Sequence, residues 1–263
     1  MACADNCLEI LVWNIHSNNG PAETIKAELK VNVGVAKRRY KNLVLLCTDE
    51  VNSAKRGILK QSFLTSSTDA NETKEAEIYY KSTGSFSMRY FDIGGFCRGH
   101  SVTVPKYTKG RFTASVLRKA SKTILVVAWH GPTKRPPEVL ERDGKIKSVS
   151  QDTLGKRFKK RTLVELLEFV ENIRSTLRYG AVIVGGDFNL DSKVATKVMD
   201  NEMQDLRGNV LDHYNYDETK IDYLLFWNKG SQRLALELTS RVFKKEGTVF
   251  NHPIVRYRFF HGT

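Results

Sequence analysis

One stretch of the sequence decides the fold, Val182-Ile183-Val184-Gly185-Gly186-Asp187-Phe188-Asn189-Leu190. Its three β-branched residues favour a buried strand, and its two glycines let the backbone turn or approach a ligand closely. Asp187 and Asn189 are two residues apart, so in extended chain their side chains share one face. The stretch therefore predicts a strand that delivers polar chemistry at its end.

Five shorter motifs accompany this stretch, and each follows or interrupts an apolar run. They are Trp13-Asn14, Asp49-Glu50, Trp129-His130-Gly131, Ile221-Asp222-Tyr223 and Asn251-His252-Pro253. Taken singly, Asn14 could equally be a residue that caps a turn rather than a functional residue. His130 could equally be an ordinary turn histidine. Asp222 is more informative, because an unpaired carboxylate inside an apolar strand costs several kcal/mol and demands a partner.

In this order the motifs resemble those of the endonuclease/exonuclease/phosphatase superfamily, which has the deoxyribonuclease I-like fold. Its members carry WN, QE, (T/L)H, GDFN, (I/L)DY and SDH along the chain. The resemblance spans nearly all of this sequence, and its most specific part is Gly186-Asp187-Phe188-Asn189. Glu50 is the best match to the family's glutamate, with Asp49 as its rival.

The resemblance implies an α/β fold, a four-layer sandwich of two mixed, mainly antiparallel β-sheets packed face to face with helices outside. Strands and helices alternate along the chain without repeats or linkers, which also favours one pair of packed sheets. We expect residues 1–263 to form a single domain.

The resemblance further implies a divalent cation, Mg²⁺ or Mn²⁺, held by Glu50 with Asn14 and the residue at position 251. Such an oxygen-rich shell suits a hard cation that keeps several waters. Asn251 stands where the family has an aspartate, and an amide keeps the geometry but loses the negative charge. We therefore expect weakened or altered metal binding.

The catalytic residues are also implied by the resemblance. Asp187 and Asn189 would orient the attacking water and a phosphate oxygen. His252 would act as a general base or electrophilic partner, with Asp222 orienting its ring. His130 would assist the leaving group.

The chain is strongly basic, with 42 Lys and Arg against 29 Asp and Glu and a formal net charge of +13. The excess is concentrated in residues 133–161, which we predict to be a basic loop beside His130. Neutralisation of backbone phosphates by Lys and Arg provides most of the sequence-independent affinity of a protein for nucleic acid. The expected substrate contacts are Lys134, Arg135, Lys156, Arg157, Lys159 and Lys160. A nuclear-import patch or a solvated surface would have the same composition.

Location and redox state follow from simpler patterns. No apolar stretch approaches the roughly 20 residues that a membrane-spanning helix needs. The N-terminus lacks a signal-peptide pattern, so an intracellular protein, nuclear or cytoplasmic, without membrane contact is expected. The four cysteines show no CxxC spacing and predict free thiols rather than a disulfide or a zinc site.

Apolar periodicity predicts the elements around these motifs. Strands are expected at Leu8–Trp13, Leu43–Leu46, Thr123–Ala128 and Asp222–Phe226, and helices at residues 22–40, over Leu163–Leu177 and near 192–201. Residues 61–75 are predicted to be loop, and Ile78–Val127 an antiparallel meander. An edge hairpin and then a loop carrying His252 would close the chain.

The leading hypothesis is a divalent-metal-dependent nuclease that hydrolyses phosphodiester bonds of DNA or RNA. One alternative is a catalytically inactive relative that only binds nucleic acid. Another is a small-molecule phosphodiesterase or phosphatase of the same fold, which the net charge disfavours because a small substrate needs only a local basic pocket. DNA against RNA and endo against exo cleavage depend on loops that vary across a fold, so both choices stay open.

Overall fold

The computed structural model describes residues 7–15, 21–48, 53–65, 75–82, 86–119, 122–134, 151–206, 209–211, 221–228, 234–243, 252 and 254–261. These residues form twelve strands, five α-helices and a short 3₁₀ helix at Gln204–Leu206. No helix in the described part of the chain combines the length and apolarity needed to cross a membrane.

The strands, in chain order, are β1 (Cys7–Asn14), β2 (Leu43–Thr48), β3 (Leu64–Thr65), β4 (Ala76–Lys81), β5 (Ser87–Tyr90), β6 (Phe112–Lys119), β7 (Lys122–His130), β8 (Ala181–Asp187), β9 (Asn209–Leu211), β10 (Asp222–Asn228), β11 (Leu234–Phe243) and β12 (Ile254–His261). The helices are α1 (Ala22–Arg39), α2 (Ser53–Ser62), α3 (Ile93–His100), α4 (Gln151–Thr176) and α5 (Ser192–Asn201).

The strands form two six-stranded sheets, with the orders β11-β12-β1-β2-β4-β3 and β5-β6-β7-β8-β10-β9. The pairs β1/β2 and β7/β8 are parallel, and the other pairs are antiparallel. Both sheets are therefore mixed and mainly antiparallel, as expected.

Three apolar cores separate four layers. The first core lies between the sheets, where Ile10 and Val12 of β1 pack with Ile183 of β8. The second joins α1 and α2 to the outer face of the first sheet, and the third joins α3, α4 and α5 to the outer face of the second. The predicted four-layer α/β sandwich is confirmed.

The strand β8 shows why the deciding stretch is apolar throughout. Ile183 faces the core between the sheets, whereas Val182 and Val184 face the core under the helices. A strand covered on both faces needs apolar residues at every position rather than at alternate ones. The uninterrupted run at Val182–Val184 is thus the signature of a central strand.

Two predicted loops contain helix. Within the predicted loop 61–75, residues 61 and 62 end α2 and Leu64–Thr65 form β3, while residues 66–74 lie outside the described part. The basic segment 133–161 is helical from Gln151 onward, because Leu154 and Phe158 bury one face of α4 at helical spacing. Lys156 to Arg161 therefore project from a helix rather than a loop.

The predicted meander over Ile78–Val127 is wrong in two respects. The strand β4 belongs to the first sheet, and α3 stands between β5 and β6. The helix begins because Asp92 caps it, accepting a hydrogen bond from the backbone of Gly95 at 2.8 Å. Glycines that suggested a turn occupy the first turn of a helix instead.

The closing elements differ from the prediction in one respect. The strands β11 and β12 pair antiparallel at the edge of the first sheet, as predicted for the hairpin, and Val255 and Phe259 of β12 lie in the core between the sheets. His252, however, precedes the last strand instead of following the hairpin.

The expectation of free thiols is wrong for Cys7, which is disulfide-bonded, because a disulfide needs suitable Cα separation and not a CxxC spacing.

Candidate active site

The ends of three neighbouring strands place polar side chains in one row. His130 ends β7 and is the register partner of Asp187 at the end of β8, and Asp187 is the partner of Asp222 at the start of β10. Asp187 and Asp222 are both buried. Two buried carboxylates opposite each other repel, so this row requires compensating positive charge or protons.

Glycines allow these strand ends to approach closely. A Cβ on Gly186, whose φ is 151°, would lie 1.9 Å from the carbonyl oxygen of Trp129. A Cβ on Gly131 would lie 2.0 Å from the carbonyl oxygen of Phe188. No larger residue fits at either position without moving the backbone that positions the row.

Asp187 connects the two sheets. Its Oδ2 accepts a hydrogen bond of 2.7 Å from Nδ2 of Asn14, which ends β1 in the other sheet. Its Oδ1 accepts a bond of 2.8 Å from the backbone nitrogen of Asn189. Asn189 has a left-handed backbone (φ 49°), which asparagine tolerates, and its Nδ2 donates to the carbonyl of Gly131 at 2.9 Å. Both sides of the carboxylate are therefore fixed.

His252 and Asp222 form a short pair. The ring Nδ1 donates to Oδ2 of Asp222 at 2.6 Å, and the ring Nε2 lies 3.4 Å from Nδ2 of Asn14. Burial raises the pKa of the Asp222 carboxyl, the hydrogen bond from His252 opposes this rise, and the charge of Asp187 adds to it. Because Nδ1 contacts Asp222, the imidazole ring of His252 is oriented with its Nε2 facing Asn14 and the site.

His130 belongs to a second carboxylate–histidine contact. Its Nδ1 lies 3.0 Å from Oε2 of Glu75, and Nη1 of Arg111 lies 2.7 Å from the same oxygen. Arg111 also donates to the carbonyl of Gly131 at 3.3 Å. Glu75 and Arg111 are not predicted by the sequence motifs. The one available signal was the position of Glu75 directly before β4, which runs antiparallel to β2 and so starts at this edge.

The structure brings together most of the predicted catalytic residues. Asn14, Asp187, Asn189, Asp222 and His252 form one hydrogen-bonded network, and His130 adjoins it through the strand register.

The remaining predicted residues are either outside the described part of the chain or outside this network. Asp49, Glu50, Asn251 and Arg135 are outside the described residues. Lys134 is exposed four residues after His130, and Lys156, Arg157, Lys159 and Lys160 lie on the first turns of α4. Lys160 pairs with Glu202.

The donor set fits a hard cation. Asp187, Asp222 and His252 each offer a ligand atom, and these atoms lie within 4.8 Å of one another. The Oδ1 atom of Asp222 is buried and accepts no hydrogen bond from any described residue. A buried carboxylate oxygen without a donor costs free energy unless a cation or a proton satisfies it. The carboxylates are better ligands for Mg²⁺ or Mn²⁺ than His252 is. If Nε2 of His252 bound a cation, this nitrogen could no longer accept or donate a proton.

Sequence and structure comparisons give different results. No protein-family model and no curated protein sequence matches the chain. The fold, however, matches the human Nocturnin catalytic domain at 12% identity and a TM-score of 0.58, covering 98% of this chain and 95% of that one. An endonuclease/exonuclease/phosphatase from Bacteroides vulgatus matches at 12% identity and a TM-score of 0.59, covering 97% and 99%.

A truncated TDP2 from Caenorhabditis elegans also matches, at 12% identity and a TM-score of 0.54, covering 97% of both chains. These likenesses extend over whole chains, in agreement with the motif order. The chain therefore has the deoxyribonuclease I-like fold of the endonuclease/exonuclease/phosphatase proteins.

Proposed function

We propose that this protein is a divalent-metal-dependent nuclease that hydrolyses phosphodiester bonds of DNA or RNA. The observation that carries the proposal is the buried network in which Asp187 holds Asn14 across the two sheets while Asp222 orients His252. Phosphodiester hydrolysis needs an activated water, positive charge on the phosphoryl oxygens and help for the leaving oxygen. His252 and His130 support the first and third of these needs, and the carboxylates of Asp187 and Asp222 support a cation for the second.

His252 is the proposed general base. Its Nδ1 is engaged by Asp222, so Nε2 is the ring atom that takes a proton from the attacking water. The carboxylate stabilises the imidazolium that results. Because Asp222 is buried and its strand is central, the ring keeps one orientation through the reaction.

The proposed metal ligands are Glu50, Asn14 and Asn251, supported by the charges of Asp187 and Asp222. Since Nδ2 of Asn14 bonds Asp187, Oδ1 is the atom that this amide would turn to a cation. When bound, Mg²⁺ or Mn²⁺ supplies charge neutralisation at the phosphoryl oxygens. Asn251 contributes less negative charge than the family's aspartate, so we expect a preference for Mn²⁺.

His130 and Asn189 complete the proposed site. Glu75 lies 3.0 Å from Nδ1 of His130, and Nε2 would donate to the departing oxygen. The backbone of Asn189 is fixed by Asp187 and its amide by Gly131, so the residue is held in the position from which it would orient a phosphate oxygen. Nucleic acid is the proposed partner, contacted by Lys134, Arg135, Lys156, Arg157, Lys159 and Lys160, with no membrane partner.

The test is incubation of the purified protein with plasmid DNA or single-stranded RNA in Mg²⁺, Mn²⁺ or EDTA. We expect cleavage in either metal, faster in Mn²⁺, and none in EDTA. His252→Asn is the matched inactive control, and Asn251→Asp should lower the metal concentration for half-maximal cleavage. Tight binding without cleavage in any metal would identify an inactive binding protein. Hydrolysis of bis(p-nitrophenyl) phosphate without nucleic-acid cleavage would identify a small-molecule phosphodiesterase.

A further inference from the structure

A tight turn before β6 carries an exposed positive charge that no motif predicted. Lys106 and Lys109 are exposed in the segment 105–111, and residues 93–111 contain no acidic residue. Thr108 is fully buried and closes the turn, with Oγ1 donating to the carbonyl of Pro105 at 2.8 Å. The two lysines are therefore held outward by a fixed backbone.

The turn lies beside the proposed site. The backbone nitrogen of Arg111 donates to the carbonyl of Thr108 at 3.0 Å, and the carbonyl of Arg111 accepts from the backbone of His130 at 2.9 Å. The Arg111 guanidinium contacts Glu75, which also contacts His130. Lys109 is two residues from Arg111 in the sequence, so the turn that carries it lies at the His130 side of the site.

The same turn is attached to the first turns of α4. The ring of Tyr107 meets the ring of Phe158 edge-on, with centroids 5.2 Å apart. Arg157 and Lys159 flank Phe158 in the sequence, so this contact brings the turn next to the part of α4 that carries them. We call Lys106, Lys109, Arg157 and Lys159 the basic turn surface.

Two acids described near this surface pair with lysine or arginine residues outside it. Glu202 pairs with Lys160, and Glu165 pairs with Arg161. Within the described ranges, no acid forms an ion pair with Lys109, Arg157 or Lys159. Cations such as Lys109, Arg157 and Lys159 around a phosphodiesterase site attract a chain of phosphates, whereas a small phosphate ester would occupy the pocket alone.

We propose that the basic turn surface binds the sugar-phosphate backbone of a nucleic acid on the His130 side of the scissile bond. This inference rests on the proposed function and adds two residues, Lys106 and Lys109, and a direction for the bound strand. Tyr107 and Phe158 fix the turn against α4, so the surface is preformed and does not require ordering upon binding.

The test is binding measured by fluorescence anisotropy in EDTA, with labelled duplex DNA and single-stranded RNA, from about 50 to about 200 mM salt. Each lost phosphate contact reduces the log–log salt slope by about 0.9 for duplex and about 0.7 for single strands. Lys106→Gln/Lys109→Gln should therefore lower the duplex slope by about 1.8. The ratio of wild-type to variant affinity should then change roughly 12-fold across this salt range.

Two further variants control for charge and position. Lys106→Arg/Lys109→Arg keeps both charges and should keep the wild-type slope. Lys119→Gln/Lys122→Gln removes the same charge at the far end of β7. This end is eight residues, or about 26 Å, from His130, which exceeds the electrostatic screening length of about 8 Å. The variant should therefore also leave the salt slope unchanged.

The outcomes separate this inference from the proposed function. Equal slopes for the wild type and Lys106→Gln/Lys109→Gln would overturn the basic turn surface and leave nuclease activity untouched. An equal loss in the Lys119→Gln/Lys122→Gln control would also overturn it, because net charge alone would then explain binding. A reduced slope specific to the turn, in a protein that cuts nothing in Mg²⁺ or Mn²⁺, would uphold the surface and refute the nuclease. Absence of salt-dependent binding by the wild type would refute both.

Discussion

The substitution Asp222→Asn tests the proposed mechanism most directly. It keeps the shape of the side chain but removes the charge that faces Nδ1 of His252 at 2.6 Å. An amide can donate to Nδ1, and the proton of the ring then sits on Nε2, where it blocks proton uptake from water. We expect cleavage to slow by roughly 10²–10⁴-fold, which corresponds to about 2.7–5.4 kcal/mol in the barrier.

The same variant has an opposite expected effect on stability. Burial raises the pKa of Asp222 from 3.8 to about 6, so the folded protein retains this proton to a higher pH than the unfolded chain. Stability contributed by the site therefore falls as the pH rises through this interval. Asp222→Asn cannot ionise, and its Tm in EDTA should equal or exceed that of the wild type at pH 7, with a smaller gap near pH 4.

The assay compares single-turnover cleavage of plasmid DNA in Mn²⁺ with thermal unfolding in EDTA. Asp200→Asn, on the exposed side of α5, is the matched control and should change neither quantity. An unchanged cleavage rate in Asp222→Asn would show that His252 is not the base. A rate loss accompanied by a Tm several degrees lower would show that Asp222 acts by supporting the fold.

Three other predictions follow from the site geometry. Gly186→Ala should destabilise the fold by about 2–4 kcal/mol in urea unfolding, because its Cβ would overlap the carbonyl of Trp129; a loss under about 0.5 kcal/mol would contradict this. Glu75→Gln should slow cleavage by about 10²-fold at unchanged Tm, since His130 loses its orienting carboxylate; full activity would remove Glu75 from the mechanism. Asp187→Asn should raise the Mn²⁺ concentration for half-maximal cleavage roughly 10- to 100-fold, and an unchanged titration would place the cation elsewhere.

Properties that depend on local burial were predictable from the sequence. The strand β8 is covered on both faces, so its apolar run at Val182–Val184 marks a central strand without any knowledge of its neighbours. Asp222 was predicted to need a partner because its surroundings are apolar, and the structure places His252 there. In both cases the other arrangement, an exposed apolar strand or an unpaired buried carboxylate, costs too much free energy to form.

Contacts between distant segments were not predictable in this way. Glu75 and Arg111 each stand one residue before a strand, and neither position differs in composition from an ordinary loop residue. Their meeting with His130 depends on β4 joining the first sheet while β6 joins the second. The placement of β12 between β11 and β1 likewise follows from pairing across nearly the whole chain, which periodicity does not encode.

The two halves of the site differ in charge balance, and this difference favours one half for the proposed cation. Around His130, the charge of Glu75 is neutralised by Arg111 before any substrate arrives. Around His252, two buried carboxylates face each other, and their described donors other than the imidazole are neutral amide and backbone groups. Even a protonated His252 leaves one negative charge uncompensated in a desolvated position.

Such an imbalance is costly in an empty protein and favourable with a divalent cation, because Coulomb attraction increases as water is excluded. We therefore expect the proposed cation at the edge where Asp187 and Asp222 meet, in contact with the proposed ligands. The Arg111 half, being already neutral, has no electrostatic requirement for a second ion. A single bound Mn²⁺ per chain in calorimetric titration, reduced by Asp187→Asn and unaffected by Glu75→Gln, is the result that this charge balance requires.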